Sequence, residues 1–205
     1  MDVSLYSIAM RFVGMKEVQG ATSNPAILAM LQLDQEWPTG DHVPWCSAFV
    51  NYCTWLLDLP RSKSLMARSW LEVGWSIDVE EAARGDIVVL RNEVDDGKSG
   101  HVGLFSESSP LDREHVWILG GNQNDEVSIS PYPIERILGV RRLETEEQQI
   151  LRRFYSDEPF TVERDQYGFA IAIGKDGWFM LNLDAGTTRN ELMVNKVVEL
   201  LNKTK

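Results

Sequence analysis

The stretch PWCSAFVNYC, residues 44–53, constrains everything built around it. Trp45, Ala48, Phe49, Tyr52 and Leu56 recur three and four apart, which is one face of a helix. Pro44 suits the first helical position, where its missing N–H costs nothing. Asp41, just upstream, is placed to cap the free amides there. The expected helix carries Cys46 in its first turn, among N–H groups with no partner inside the helix. Those groups and the helix dipole favour a thiolate over a thiol. A cysteine so placed is a candidate nucleophile; the plainer alternative is a small buried core residue.

The only other cysteine is Cys53, seven residues further along the same helix. Seven residues of helix rise is roughly 10 Å, and a disulfide needs Cα atoms within about 7 Å. The two are expected to stay free thiols, which suits a reducing compartment. Without a CxxC pair or clustered histidines they make a poor zinc site, so neither a metal nor a cofactor is expected.

The 205 residues carry a net charge of −11. A chain so acidic repels nucleic-acid phosphates and anionic lipids, and no basic stretch of any length offsets this. Nucleic acid is therefore not an expected partner. No apolar run approaches the ~20 residues of a membrane span, so no stable membrane insertion is expected. Residues 1–17 lack the basic start, apolar run and cleavage site of a signal peptide, which points to a protein that is cytoplasmic as synthesised.

Along the chain, residues 2–16 read as an amphipathic helix with Leu5, Ile8, Ala9, Phe12 and Val13 inward. A second helix is expected from Pro25, with Ile27, Leu28 and Leu31 inward. A loop over residues 34–43 leads to the Cys46 helix, which ends before Pro60, and a short helix follows over residues 64–73. The character then changes to strands: residues 87–90, 101–105, 116–121, 127–130 and 137–142. The first two read as a hairpin with a long loop. Helices first and an antiparallel sheet after predict an α+β domain over residues 1–142. Residues 143–205 read as a small α/β appendage: a charged helix over 144–155, strands near 160–163, 169–173 and 178–183, a tight turn at 174–177, and a closing helix over 188–202. With about 60 residues it is near the lower limit for folding alone, which favours docking, self-association or a partner contact. Its eight basic residues stand against eleven acidic ones, a poor electrostatic match for an anionic cell wall.

A cysteine nucleophile needs a base. Of the three histidines, His42 lies in the loop before the helix and His115 follows a charged turn. His101 opens a strand after Gly100, and Gly103, on the same face, removes bulk beside it. His101 is the favoured base; the plainer alternative is an ordinary strand-end histidine. A base histidine is oriented by a third polar group. On strand parity Val116, Ile118, Gly120 and Asn122 share a face, so Asn122 is expected to reach the His101 ring, against the alternative of a simple turn residue. A helix-borne Cys, a strand-borne His and a next-strand Asn, in that order, is one arrangement of a thiol hydrolase.

Together PWCSAFVNYC, ARSWL (residues 67–71), GDIVVL (85–90), GHVGLF (100–105), LGGNQND (119–125) and LGVRR (138–142) resemble the papain-like cell-wall hydrolases of CHAP and NlpC type, especially small phage and prophage members. The resemblance spans roughly residues 4–142. It implies a papain-like α+β fold and cleavage of an amide bond in the peptide stem of peptidoglycan. It also implies that Cys46 is the nucleophile, His101 the base holding a thiolate–imidazolium pair, and Asn122 the third polar residue; many relatives have an acidic residue or histidine in the third role. Trp45 is a candidate cleft wall or core residue, and Asp41 a candidate ligand for a substrate amine or a helix cap. An endolysin-like enzyme is the first functional expectation. A secreted antibacterial effector amidase, or a non-catalytic binding module on the same scaffold, are the alternatives. Residues 143–205 resemble nothing recognised.

Overall fold

The computed structural model describes residues 3–18, 20, 22–109, 112–144, 161–164, 170–174 and 177–179. The chain divides into two compact units, Met1–Glu144 and Thr145–Lys205. The first is α+β, with short helices and a six-stranded antiparallel sheet.

Helix α1 (Leu5–Ala9) is held at its start by a capping box between Ser4 and Ser7. It continues as a 3₁₀ turn over Met10–Phe12 and stops there, short of the expected residue 16. Gly14 has φ +88°, which lets the chain turn without a Cβ penalty. Its N–H then donates to Val127 O, and Glu17 N–H to Asp125 O, so the segment lies against the start of a strand instead of coiling. Val13 is consequently 46% exposed rather than inward. Helix α2 (Pro25–Leu31) begins at Pro25 behind an Asn24 cap and buries Ile27, Met30 and Leu31.

Helix α3 (Cys46–Trp55) starts two residues later than Pro44 at the first helical position would require. Trp45 is the N-cap, with no side chain bonded to the free amides. Asp41 is not the cap. Its carboxylate accepts from the amides of Asn24 (2.7 Å) and Val18 (3.2 Å) and ties two loops together. The expected helix after α3 is a 3₁₀ stretch over Ala67–Glu72, with Ala67 and Trp70 buried. The Trp70 indole donates to Ser47 Oγ (2.9 Å), which itself donates to Ser64 O (2.7 Å). Asn51 adds donors to Ser47 O and Ser64 O, and accepts from Lys63 N. A buried polar cluster thus locks α3 to the segment that follows it, with each polar atom partnered.

The strands are β1 (Trp75–Ile77), β2 (Ile87–Leu90), β3 (His101–Ser109), β4 (Asp112–Gln123), β5 (Glu126–Pro133) and β6 (Ile137–Arg142), in spatial order β1-β6-β2-β3-β4-β5. The short β1 has no counterpart in the sequence reading. Strand β2 lies between β6 and β3 and all four of its residues are buried, which is why it reads as a continuous apolar run and not an alternation. Ile87, Val89, Val102, Leu104, Leu119 and Val127 pack against the helices, where Phe49, Trp45, Trp70 and Leu31 complete the core. Val88, Leu90, Phe105, Val116, Ile118 and Val140 form a second cluster on the opposite face. Asp86, 5% exposed, takes a two-pronged ion pair from Arg142 (2.9 and 2.7 Å), which joins the start of β2 to the end of β6.

In the second unit, β7 (Thr161–Arg164), β8 (Ala170–Gly174) and β9 (Gly177–Phe179) form a three-stranded antiparallel sheet, with Gly174 opposite Gly177 across the expected turn. The helices expected over 144–155 and 188–202 lie outside the described residues from 145 onward.

Strand β4 carries two successive glycines where α3 arrives. A Cβ on Gly121 would sit 2.5 Å from Trp45 Cζ3 and 2.7 Å from Phe49 Cβ, both on fully buried side chains. Gly121→Ala is therefore expected to lower stability by about 1–3 kcal/mol through overpacking. The midpoint of urea unfolding checks this; an unchanged midpoint would mean that α3 retreats at no cost.

Candidate active site

Cys46 is the first helical residue of α3 and only 5% exposed. Burial pushes its thiol pKa up, and the nearby backbone amides of Val102, Ser47 and Cys46 itself, which favour the thiolate, offset this only in part. Val102 is the residue after His101 and belongs to β3. The β3–β4 ladder begins at Leu104 opposite Leu119, so the first three residues of β3 are outside that ladder. The Val102 amide near the sulfur belongs to that end of β3. Cys53, by contrast, is fully buried within α3 and its thiol is pushed up to about 12 by burial. Both thiols are free.

His101 opens β3 on the face opposite Val102. Its ring stacks on Tyr132 of β5, centroids 5.4 Å apart and planes 23° apart. Among the described residues no hydrogen bond joins the sulfur to the ring; Val102, next to His101 in the chain, packs in the cluster that holds Cys46, and Tyr132 packs against the cluster on the opposite face.

The polar side chain that meets the His101 ring is Gln123, and among the described residues no hydrogen bond joins Asn122, expected there, to the ring. Gln123 is 4% exposed and its Oε1 lies 3.2 Å from His101 Nε2. Asn122 has φ +59°, and the β4–β5 register shifts between Gly120 and Gln123. That bulge inserts one residue and reverses the alternation, so Gln123 arrives on the face that strict parity assigns to Asn122. The only sequence signal for this was the glycine–asparagine cluster, which marks a bulge or turn as readily as a strand end. Gly120 completes the fit: a Cβ there would lie 2.9 Å from Gln123 Oε1 and 3.0 Å from His101 Nε2. The glycine that makes room beside the base is thus Gly120. Gly103 instead admits Ile118, whose Cγ2 would lie 2.5 Å from a Cβ.

The amide orientation of Gln123 decides the histidine tautomer. Its Nε2 donates to the Ser128 carbonyl (2.7 Å), an acceptor only, which turns Oε1 toward the ring. Oε1 can only accept, so His101 Nε2 carries the proton and Nδ1 keeps its lone pair. Burial pushes the ring pKa down from 6.5 to about 4; the Gln123 acceptor opposes this and the Arg136 charge adds to it. Both the raised thiol and the lowered imidazole favour an uncharged pair at neutral pH. Burial thus works against the thiolate–imidazolium pair expected from sequence.

Trp45 and Asp41, considered as substrate contacts, both belong to the scaffold. Trp45 is fully buried and its indole donates to Glu17 Oε1 (2.7 Å). Asp41 is 5% exposed; burial opposes its charge, but the amides of Asn24, Val18 and Asp41 itself hold its carboxyl below the usual range. His42 is exposed, and His115 pairs with Asp112 (3.0 Å) away from the cysteine. Among the described residues no group of three or more His, Cys, Asp or Glu side chains is placed to hold a metal ion, and no helix is long and apolar enough to cross a membrane. No protein-family model matches the chain, and no curated protein matches it in sequence.

Two outcomes are expected from this geometry. Gln123→Ala should release the Nε2–H tautomer, seen as a change in the ¹⁵N shifts of the His101 ring, whereas Asn122→Ala should leave those shifts in place. An unchanged ring in Gln123→Ala would return the orienting role to another residue. The second concerns acid. Above pH 6.5 the ring is neutral folded and unfolded; below it the unfolded chain takes the proton first, so stability falls until about pH 4 and then levels. His101 is half-buried, so the loss should be about 2 kcal/mol rather than the full shift. Urea unfolding across that range measures it, and His101→Gln should show a flatter profile over the same interval.

Proposed function

We propose that the protein is a cysteine amidase or endopeptidase that cleaves an amide bond in the peptide stem of peptidoglycan, built on a papain-like domain over residues 1–142. The observation that carries the reading is the set of contacts around one sulfur. Cys46 begins a helix and lies near the amide of the residue after His101, whose far nitrogen is held by Gln123 while Nδ1 stays basic. The motif order of the sequence supports the choice of substrate.

In the mechanism that follows, Nδ1 of His101 takes the Cys46 proton as the sulfur attacks the amide carbonyl. The developing oxyanion is stabilised by N–H groups at the start of α3, Cys46 among them. The imidazolium then protonates the leaving amine, which departs and leaves the acyl group on sulfur. Water, deprotonated by the same nitrogen, releases the acid and restores the thiol. Gln123 keeps the ring in the tautomer that makes this possible and accepts from the imidazolium when it forms.

Cys46→Ala and His101→Ala should abolish release of muropeptides from purified sacculi, read by mass spectrometry, and Cys53→Ala should retain it. The masses also identify the bond cut. Full activity in Cys46→Ala would end the thiol mechanism. One observation favours the alternative of a non-catalytic module: the burial of the sulfur, which slows any thiolate chemistry. Iodoacetamide separates the two, since an activated Cys46 should be labelled faster than a free cysteine and a scaffold thiol slower.

A further inference from the structure

A single positive side chain stands over the wall of this site. Arg136 ends a 3₁₀ turn, Ile134–Arg136, between β5 and β6. Its guanidinium lies over the Tyr132 ring, 5.5 Å from the centroid, and Tyr132 also stacks on His101. Nε donates to Arg91 O (3.0 Å), and Arg91 N–H donates back to Arg136 O (2.9 Å), so the base of the side chain is pinned. The terminal nitrogens have no hydrogen bond or ion pair with any described residue. The nearest candidate in sequence, Glu135, faces Arg91 instead, at 3.8 Å.

The charge of Arg136 acts on both His101 and the Tyr132 phenol beneath it. A pinned guanidinium with its outer edge open presents parallel N–H donors that match a carboxylate, a fit that a lysine or an amide cannot reproduce. The net charge of −11 disfavours anions over the chain as a whole, so an anionic group is held only where a local cation such as this one offsets it.

We infer that Arg136, backed by Tyr132, is a subsite for a free carboxylate on the peptide whose amide is presented to Cys46. The occupant's identity as a peptidoglycan stem rests on the hydrolase reading; the preference for a carboxylate does not. Stem peptides carry such a group on the glutamyl residue, and amidation there removes it. The subsite therefore selects the acid form over the amide, acting in binding and positioning rather than in the bond-breaking steps.

The test uses the full-length Cys46→Ala protein and two probes, a stem peptide with its glutamyl carboxylate free and the same peptide amidated there, followed by calorimetry. The acid should bind at least about tenfold more tightly than the amide. Arg136→Gln should erase that preference, and Arg136→Lys, which keeps the charge without the fork, should restore part of it. With the active protein, Arg136→Gln should raise KM for the acid peptide far more than it lowers kcat. Equal binding of acid and amide, binding of neither, or a preference that survives in Arg136→Gln overturns the subsite. The wild-type preference needs no variant, so a poorly folding Arg136→Gln leaves it decidable. Cleavage is scored separately: acid-selective binding without cleavage by the native protein upholds the subsite and ends the hydrolase reading.

Discussion

The close approach of α3 to strand β4 is the contact on which the site depends. Only the absence of a side chain at Gly121 lets Trp45 and Phe49 lie against the sheet, and Cys46 follows Trp45 directly. The first three residues of β3 lie beyond the β3–β4 ladder, and the Val102 amide near the sulfur belongs there. Any outward movement of the helix would draw the sulfur from that amide. The contact is held from the other side by Glu17, which accepts from the Trp45 indole, and Glu17 is placed by the turn at Gly14. A backbone turn near the start of the chain and a glycine in the sheet thus act on the same indole.

Burial governs the electrostatics of the site. It raises the thiol of Cys46 and lowers the imidazole of His101, because each charged form loses water that the protein does not replace in full. The amides at the sulfur and the Gln123 acceptor work against this, and neither reverses it. Both charged forms are disfavoured where the two groups sit. Arg136 adds to the same balance: its charge disfavours the imidazolium until an anion is placed beside it.

Several motifs have a structural meaning besides any chemical one. The Asp86–Arg142 ion pair connects GDIVVL to LGVRR and closes one end of the sheet. Trp70 of ARSWL donates to Ser47, the neighbour of Cys46, and so steadies the start of α3. Arg68 of the same motif donates to Ser99 O (2.8 Å) and pairs with Asp95, which ties down the loop leading into His101. These bonds fix the parts of the chain that carry Cys46 and His101.

The sequence by itself determined the α+β class, the placement of α2 and α3, the strands from β2 to β6, and Cys46 and His101 as the groups to watch. Apolar periodicity and the alternation of strands are local properties, written into consecutive side chains. Tertiary structure decided the rest. Whether residues 13–16 continue a helix depended on the start of β5, which competes for their backbone. Whether Asp41 caps a helix or ties loops depended on amides from residues 18 and 24. The choice between Asn122 and Gln123 turned on one bulge, which reverses every side chain beyond it and leaves no mark in a pattern of period two. The charge state of the cysteine and histidine was hidden for a related reason: the helix terminus favours a thiolate, but the burial that opposes it is a sum over neighbours brought together only by the fold.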